Sequence, residues 1–269
     1  MMLTNIGPIA SSRIKSDPDV SAYIMRLAAR GYTAPAALQE QLYNTIQNMK
    51  ADGTYDASVE FWLYIGGTAA THALGFKGLF DLTFVGSPSH SANGWTPNGT
   101  TQYARTGAIP SVLLANNSYH QWGYIGTTSA FGFDEAIMGA KSGANLEWRF
   151  GVRNSSGNAT SYQTSGLNST LVANSDGRGM YVTNRSSALL ATVDKNGAQI
   201  ASVVSSGNSS ALPSVELYIG AFNDSGTPFR FTNKQIRGNG FGNGLTPAQR
   251  ASLAANINAL ETFLGRNTF

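Results

Sequence analysis

From Tyr64 onward the chain is a series of short apolar runs separated by turn residues, and no helical pattern comes between them. The runs are Leu82–Val85, Ser111–Leu114, Gln121–Ile125, Leu146–Val152, Gly179–Thr183, Leu189–Val193, Gln199–Val203 and Leu217–Phe222. Strands at this density, joined without crossover helices, restrict the fold to a β-sandwich or jelly roll. The hairpin signal is strongest in ALLATVDKNGAQIASVV, where Asn196-Gly197 favours a two-residue turn between alternating strands. Thirty glycines suit the many tight turns this arrangement requires.

The first sixty residues follow a different period. Residues 1–16 read as a flexible or anchoring arm. Asp17-Pro18 opens a helix with Val20, Tyr23, Ile24 and Leu27 on one face, and Gly31 ends it. Thr33 is expected to cap a second helix carrying Leu38, Leu42, Ile46 and Met49, stopping near Asp52-Gly53. A third helical turn is expected at Ala57–Leu63. The division is therefore an arm (1–16), a helical region (17–63) and a β domain (64–269). The apolar helix faces must bury on the sandwich or in an oligomeric bundle.

At the other end, an apolar strand over Val215–Phe222 meets a polar turn at Asn223–Gly226. A second strand around Phe229–Ile236 is expected to lead through a Gly-rich connection, Arg237–Gly244, into a helix. Thr246 is a good N-cap, Pro247 suits the first helical position and Gln249 completes a capping box. Leu253, Ile257, Leu260 and Leu264 share helical spacing, and Gly265 supplies the stop.

Composition narrows the function. Charged residues are only 12% of the 269, and 18 basic against 15 acidic side chains leave a charge of +3 without a basic block. This argues against nucleic-acid binding. Cysteine is absent, so neither disulfides nor thiolate metal sites hold the fold. No segment approaches the roughly 20 apolar residues of a membrane helix, so no membrane insertion is expected. The opening MMLTNIGPIASSRIKSDPD shows no signal-peptide core.

Catalytic constellations are hard to find. Glycoside hydrolysis needs two carboxylates roughly 5–10 Å apart, and the Glu-x-Asp-x-x-Glu pattern of β-glucanases does not occur. Asp134-Glu135 are adjacent and would face opposite sides of a strand. Glu147 and Glu216 lie on expected strands that could face a groove, with nothing pairing them. His72, His90 and His120 are scattered, without metal-ligand spacing. RGNGFGNG lacks the Lys-Ser/Thr ending of a phosphate loop and reads as a tight strand–helix connection. Asp176, Asp194 and Asp224 fall in expected turns, which explain them without a calcium ion. No catalytic residue, metal or cofactor is assigned. Carbohydrate binding is the more serious option, because sugar sites combine an aromatic face with amide or carboxylate groups. The candidates are Trp95, Asn98 and Tyr103 in one loop and Trp122 on a strand, although Trp122 and Tyr124 share a face and fit a core equally well.

The order of elements over Val215–Arg266 resembles the closing segment of concanavalin A-like (LamG-type) jelly rolls. Three longer stretches, DPDVSAYI with LQEQLYNTIQNMKADGTYD, FWLYIGGTAATHALGFKGLFDLTFVGSPSHSANGWTPNGTTQYARTG, and LYIGAFN with FTNKQIRGNGFGNGLT, resemble structural proteins of tailed bacteriophages and prophages, many from phages of Bacteroidetes. The resemblance spans residues 17–269. It implies a mainly β protein: a concanavalin A-like jelly-roll sandwich with an N-terminal helical region and a C-terminal helix. It also implies a non-enzymatic virion protein, such as a capsid fibre, decoration or tail-associated protein. Such a protein would be made in the host cytoplasm and exposed on the particle. The expected partners are other virion proteins, further copies of the same chain (a trimer would suit a fibre) and cell-surface glycans. The alternative is a carbohydrate-binding module or glycan-cleaving enzyme of the same fold.

Overall fold

The computed structural model describes residues 16–128, 135–143, 146–163, 170–204 and 211–269. Two sheets, antiparallel but for one strand pair, stack face to face, and helices cover the outer face of the first. The first sheet runs in the order Ala198–Val204, Leu190–Lys195, Gly179–Arg185, Tyr119–Ile125, Ile236–Gly242, Gly94–Thr96 and Ser89–Ser91, and Ser58–Trp62 also pairs with Ile236–Gly242. The second runs Thr170–Ala173, Asn158–Gln163, Glu147–Gly151, Met138–Lys141, Tyr218–Ile219, Tyr103–Arg105 and Thr83–Val85. A small hairpin, Phe222–Asp224 with Thr227–Phe229, joins it beside Met138–Lys141.

Every residue of Tyr119–Ile125 is buried, because this strand has a core on each face. Tyr119 and Ile125 point between the sheets, whereas Trp122 and Tyr124 point under the helices. The neighbouring strand Ile236–Gly242 takes up most of Arg237–Gly244, which was expected to be a tight strand–helix connection, and its glycines have a packing reason. Gly238, Gly240 and Gly242 alternate on the face that carries Trp122. A Cβ on Gly240 would stand 2.7 Å from Phe61 Cβ and also collide with the Trp122 indole, and one on Gly242 would stand 2.9 Å from His120 Cε1. On the opposite face, Phe241 enters the core between the sheets. A glycine repeat here allows a tryptophan to lie flat on a central strand.

The helices form as their spacing suggests, over Pro18–Ala29, Ala36–Ala51 and Pro247–Phe263. Asp17 caps the first by accepting from Asp19 N (3.0 Å) and Val20 N (3.2 Å). The same carboxylate takes Lys50 Nζ at 2.7 Å, tying the first two helices together. Thr33 does not cap the second helix. Pro35 occupies that position without a side-chain bond, because the residue before a proline is pushed out of helical geometry. The Thr246–Gln249 capping box is present in full. Apolar faces from these three helices share one core with Phe61, Trp122, Tyr124, Met180 and Val182. The N-terminal helices are thus buried on the sandwich itself.

Four further local expectations change. The strand expected around Phe229–Ile236 is instead the end of Thr227–Phe229 and the start of Ile236–Gly242, with no strand over 230–235. Ser58–Trp62, inside the expected third helical turn, is a strand; its aromatic and β-branched residues pair with the strand Ile236–Gly242, and the helical turn sits earlier, at Thr54–Ala57. Ser111–Leu114 begins inside a helical turn, Pro110–Leu113, because Pro110 presets its first position, and Leu114 caps it in extended conformation. Leu217–Phe222 is broken at Gly220 (φ +80°), where a Cβ would meet Trp95 Cη2 at 2.7 Å. The chain turns there so that the Trp95 ring can fill the core.

Candidate functional site

A groove of about 630 Å³ opens on the outer face of the second sheet. Strand alternation creates it. Ala104 and Ile219 point inward and are fully buried, so Tyr103, Arg105 and Tyr218 project from the opposite face. Arg105 and Tyr218 are direct cross-strand partners. The Tyr103 and Tyr218 rings are 4.7 Å apart at 40°, and Phe231 packs edge-on against Tyr103 at 6.1 Å. Tyr218 is almost covered while Tyr103 stays half-exposed, so Tyr103 offers the accessible aromatic surface.

Polar groups complete the lining. Arg105 Nε donates to Glu216 Oε1 at 2.8 Å, and Gly107 N donates to Glu216 Oε2 at 2.8 Å. The carboxylate beside it raises the Arg105 pKa above its ordinary value. Asn223 Nδ2 donates to Glu216 O (2.8 Å) and Asn223 Oδ1 accepts from Gly226 N (2.7 Å), which fixes the hairpin turn as one wall. Burial raises the Tyr218 phenol pKa, with smaller contributions from Tyr103 and Glu216. An aromatic face beside a fixed array of donors and acceptors can hold a sugar ring by its apolar side and its hydroxyls.

Of the sugar-binding candidates proposed from sequence, only Tyr103 lines this groove, and Glu216, expected as a carboxylate that could face a groove, lines it as well. Asn98 is exposed, but its Oδ1 accepts from Thr100 N, Thr101 N and Gln102 N, and its Nδ2 donates to Thr101 Oγ1 at 2.9 Å; it shapes its own turn. Trp95 and Trp122 are fully buried and present no face to a ligand. Trp95 packs edge-on against Tyr64 and Phe84 between the sheets, and Trp122 lies between the glycine strand and the helices. Both are core because their strands are covered on both sides. Accordingly, Trp122→Phe should cost about 2 kcal/mol in chemical denaturation.

The remaining candidates are committed elsewhere. Glu147 holds Arg149, and Glu135 is fully buried against Lys234 (3.3 Å) and Thr232 (2.7 Å); Asp134 lies outside the described residues. Glu216 is the sole carboxylate among the described residues lining the groove. Asp176 holds Arg178, Asp194 holds Arg250 and Asp224 faces Lys141 at 3.7 Å. Among the described residues no three His, Cys, Asp or Glu side chains come together, and no helix is long and apolar enough to cross a membrane. His72 and His90 meet through their Nδ1 atoms at 3.0 Å. Burial, with His90 nearby, pushes the His72 pKa down to about 3.

Arg105, Tyr218 and Asn223 were not legible as site residues. They sit on strands of only two or three residues. The signal that could have found Arg105 is the Tyr-Ala-Arg alternation around a buried alanine.

No protein-family model matches the chain, and no curated protein matches it. Solved structures do. Domain 4 of AbnA, an extracellular GH43 arabinanase from Geobacillus stearothermophilus solved with arabinotriose, aligns at 16% identity and TM-score 0.51, over 72% of this chain and 99% of that one. Trypanosoma rangeli sialidase with sialic acid aligns at 12% identity and TM-score 0.54, over 86% of this chain and 40% of that one. Botulinum neurotoxin type C, whose cell entry depends on two ganglioside molecules, aligns at 10% and 0.53, over 78% and 53%. The chain thus spans a whole arabinanase domain but less than half of the sialidase. At these identities the likeness is one of fold: this is a concanavalin A-like jelly-roll sandwich with helices at both ends.

Proposed function

We propose that this protein is a non-enzymatic glycan-binding module and that the groove at Tyr103 is its site. The observation that carries this reading is the half-exposed Tyr103 ring beside the fixed Arg105–Glu216 pair on an open sheet face. The arabinotriose complex of the similar arabinanase domain supports it. A single groove carboxylate, held by an arginine, does not provide the acid–base pair of glycoside hydrolysis. The setting we propose, from the sequence resemblance, is the surface of a phage particle. There, many copies would convert weak single-site binding into useful avidity.

The test is an oligosaccharide screen with multimerised protein, followed by calorimetry on Tyr103→Ala. Removing the ring should weaken binding about tenfold or more; because Tyr103 also packs on Tyr218 and Phe231, a melting curve confirms that the variant is folded. Unchanged binding would remove the groove from consideration, and release of reducing sugar from a bound polysaccharide would overturn the non-enzymatic reading. Mass spectrometry of purified particles tests the setting separately; absence from them would remove the virion role.

A further inference from the structure

Resting on the glycan-binding reading, we infer that Glu216 sets the charge class of the ligand: it keeps the groove neutral, so that uncharged sugars enter and sialylated or uronic sugars are refused. Among the described residues, the groove is lined by one cation and one anion, Arg105 and Glu216. Both Nε and Nη2 of Arg105 reach the same Glu216 oxygen, at 2.8 and 2.5 Å. The other carboxylate oxygen takes the Gly107 backbone N–H. Neither partner is therefore free to move away and leave a bare charge.

The pair is arranged asymmetrically. The Arg105 side chain is 52% exposed and Glu216 only 15%. A ligand thus meets the guanidinium first, with its charge already answered from behind. Arg105 Nη1 makes no hydrogen bond with the described residues and is the group that would donate to a sugar hydroxyl. A neutral diol needs only that donor and the Tyr103 face. A sugar carboxylate would instead compete for Arg105 with a built-in carboxylate less than 3 Å away, and would suffer like-charge repulsion from it. An arginine in a sugar groove would ordinarily point to acidic ligands through bidentate pairing; here that edge of the fork is occupied.

Glu216→Gln isolates the effect. The amide removes the charge and keeps one oxygen, which can accept from Arg105 or from Gly107 N but not from both. Binding is measured by calorimetry with arabinotriose and N-acetyllactosamine as neutral probes and sialyl-N-acetyllactosamine and trigalacturonate as acidic ones. The expected result is that the wild type takes a neutral probe at least tenfold more tightly than either acidic one. Glu216→Gln should gain about tenfold or more for an acidic probe. The gain should vanish in Glu216→Gln/Arg105→Leu, and a melting curve for each variant confirms that it is folded. If the wild type takes neutral and acidic probes alike, or Glu216→Gln gains nothing while neutral binding persists, the inference is overturned and the glycan-binding reading stands. If neither wild type nor variant binds any probe, both fall.

Discussion

Lowering the pH from 7 to 4 is expected to withdraw about 3 kcal/mol of folding stability through His120 alone. His120 is fully buried on Tyr119–Ile125. Its Nδ1 donates to the Asn243 carbonyl, and Nε2 is enclosed without a partner. Protonation would place a charge at Nε2 with nothing to receive it, and burial pushes the folded pKa down to about 4 from an ordinary 6.5, against a smaller upward pull from the Asn243 bond. Above pH 6.5 neither state is protonated and the contribution is zero. Below 6.5 the unfolded chain takes up a proton that the folded chain refuses, so stability falls until pH reaches about 4. Burial lowers the pKa of His72 and His90 as well, in the same direction. Buried Glu60 acts oppositely: desolvation raises its pKa, against the pull of four backbone N–H groups, so it favours the folded state on acidification. The clean measurement is therefore a difference, from urea denaturation of wild type and His120→Gln at pH 7 and pH 4. The variant should lose about 3 kcal/mol less over that range; an identical loss would show that His120 does not stay neutral in the folded state.

Arg250→Ala should be about as damaging at neutral pH, costing roughly 3–5 kcal/mol. Arg250 reaches from the C-terminal helix to Asp194 Oδ2 at 2.6 Å, with both side chains only 4% exposed, and a second nitrogen contacts Gln199 at 3.3 Å. Desolvation raises the Asp194 pKa and the guanidinium opposes that rise. Without the arginine, a carboxylate is left in a dry site between helix and sheet. The double variant Arg250→Ala/Asp194→Ala should recover part of the loss, because it removes the stranded charge as well. Strict additivity in denaturation midpoints would show that the two groups do not depend on each other.

The layered plan was legible where one residue type has one physical outcome. Asn196 and Gly197 both take positive φ (+53° and +80°), as the expected two-residue hairpin turn requires. Leu253, Ile257 and Leu260 are buried as their spacing implies. Errors arose where a tertiary neighbour decides. Arg237–Gly244 looks like a loop because glycine usually marks loops, and only the close approach of Trp122, Phe61, His120 and the Ala57–Ser58 backbone explains why a central strand needs them. Trp95 and Trp122 look like platforms because flanking Asn, Thr and Gly residues suggest a surface, yet helices and a second sheet cover both. Tyr103 was proposed from its ring, and the structure places it in the lining of the groove. Its partners on Tyr218–Ile219 and Phe222–Asp224 were hidden because elements that short carry no period, and their juxtaposition depends on the break at Gly220.

The glycine strand also dictates an order of events in time. Ile236–Gly242 lies between Tyr119–Ile125 on one side and Ser58–Trp62 and Gly94–Thr96 on the other. All three neighbours leave the ribosome more than a hundred residues earlier, and must wait with open edges for the strand that joins them. The middle of the first sheet therefore closes only after Ile236–Gly242 has been made, with long loops to close before the ladder forms. Until then, the unpaired edges of Tyr119–Ile125 and its neighbours are the surfaces on which two nascent copies would cling together.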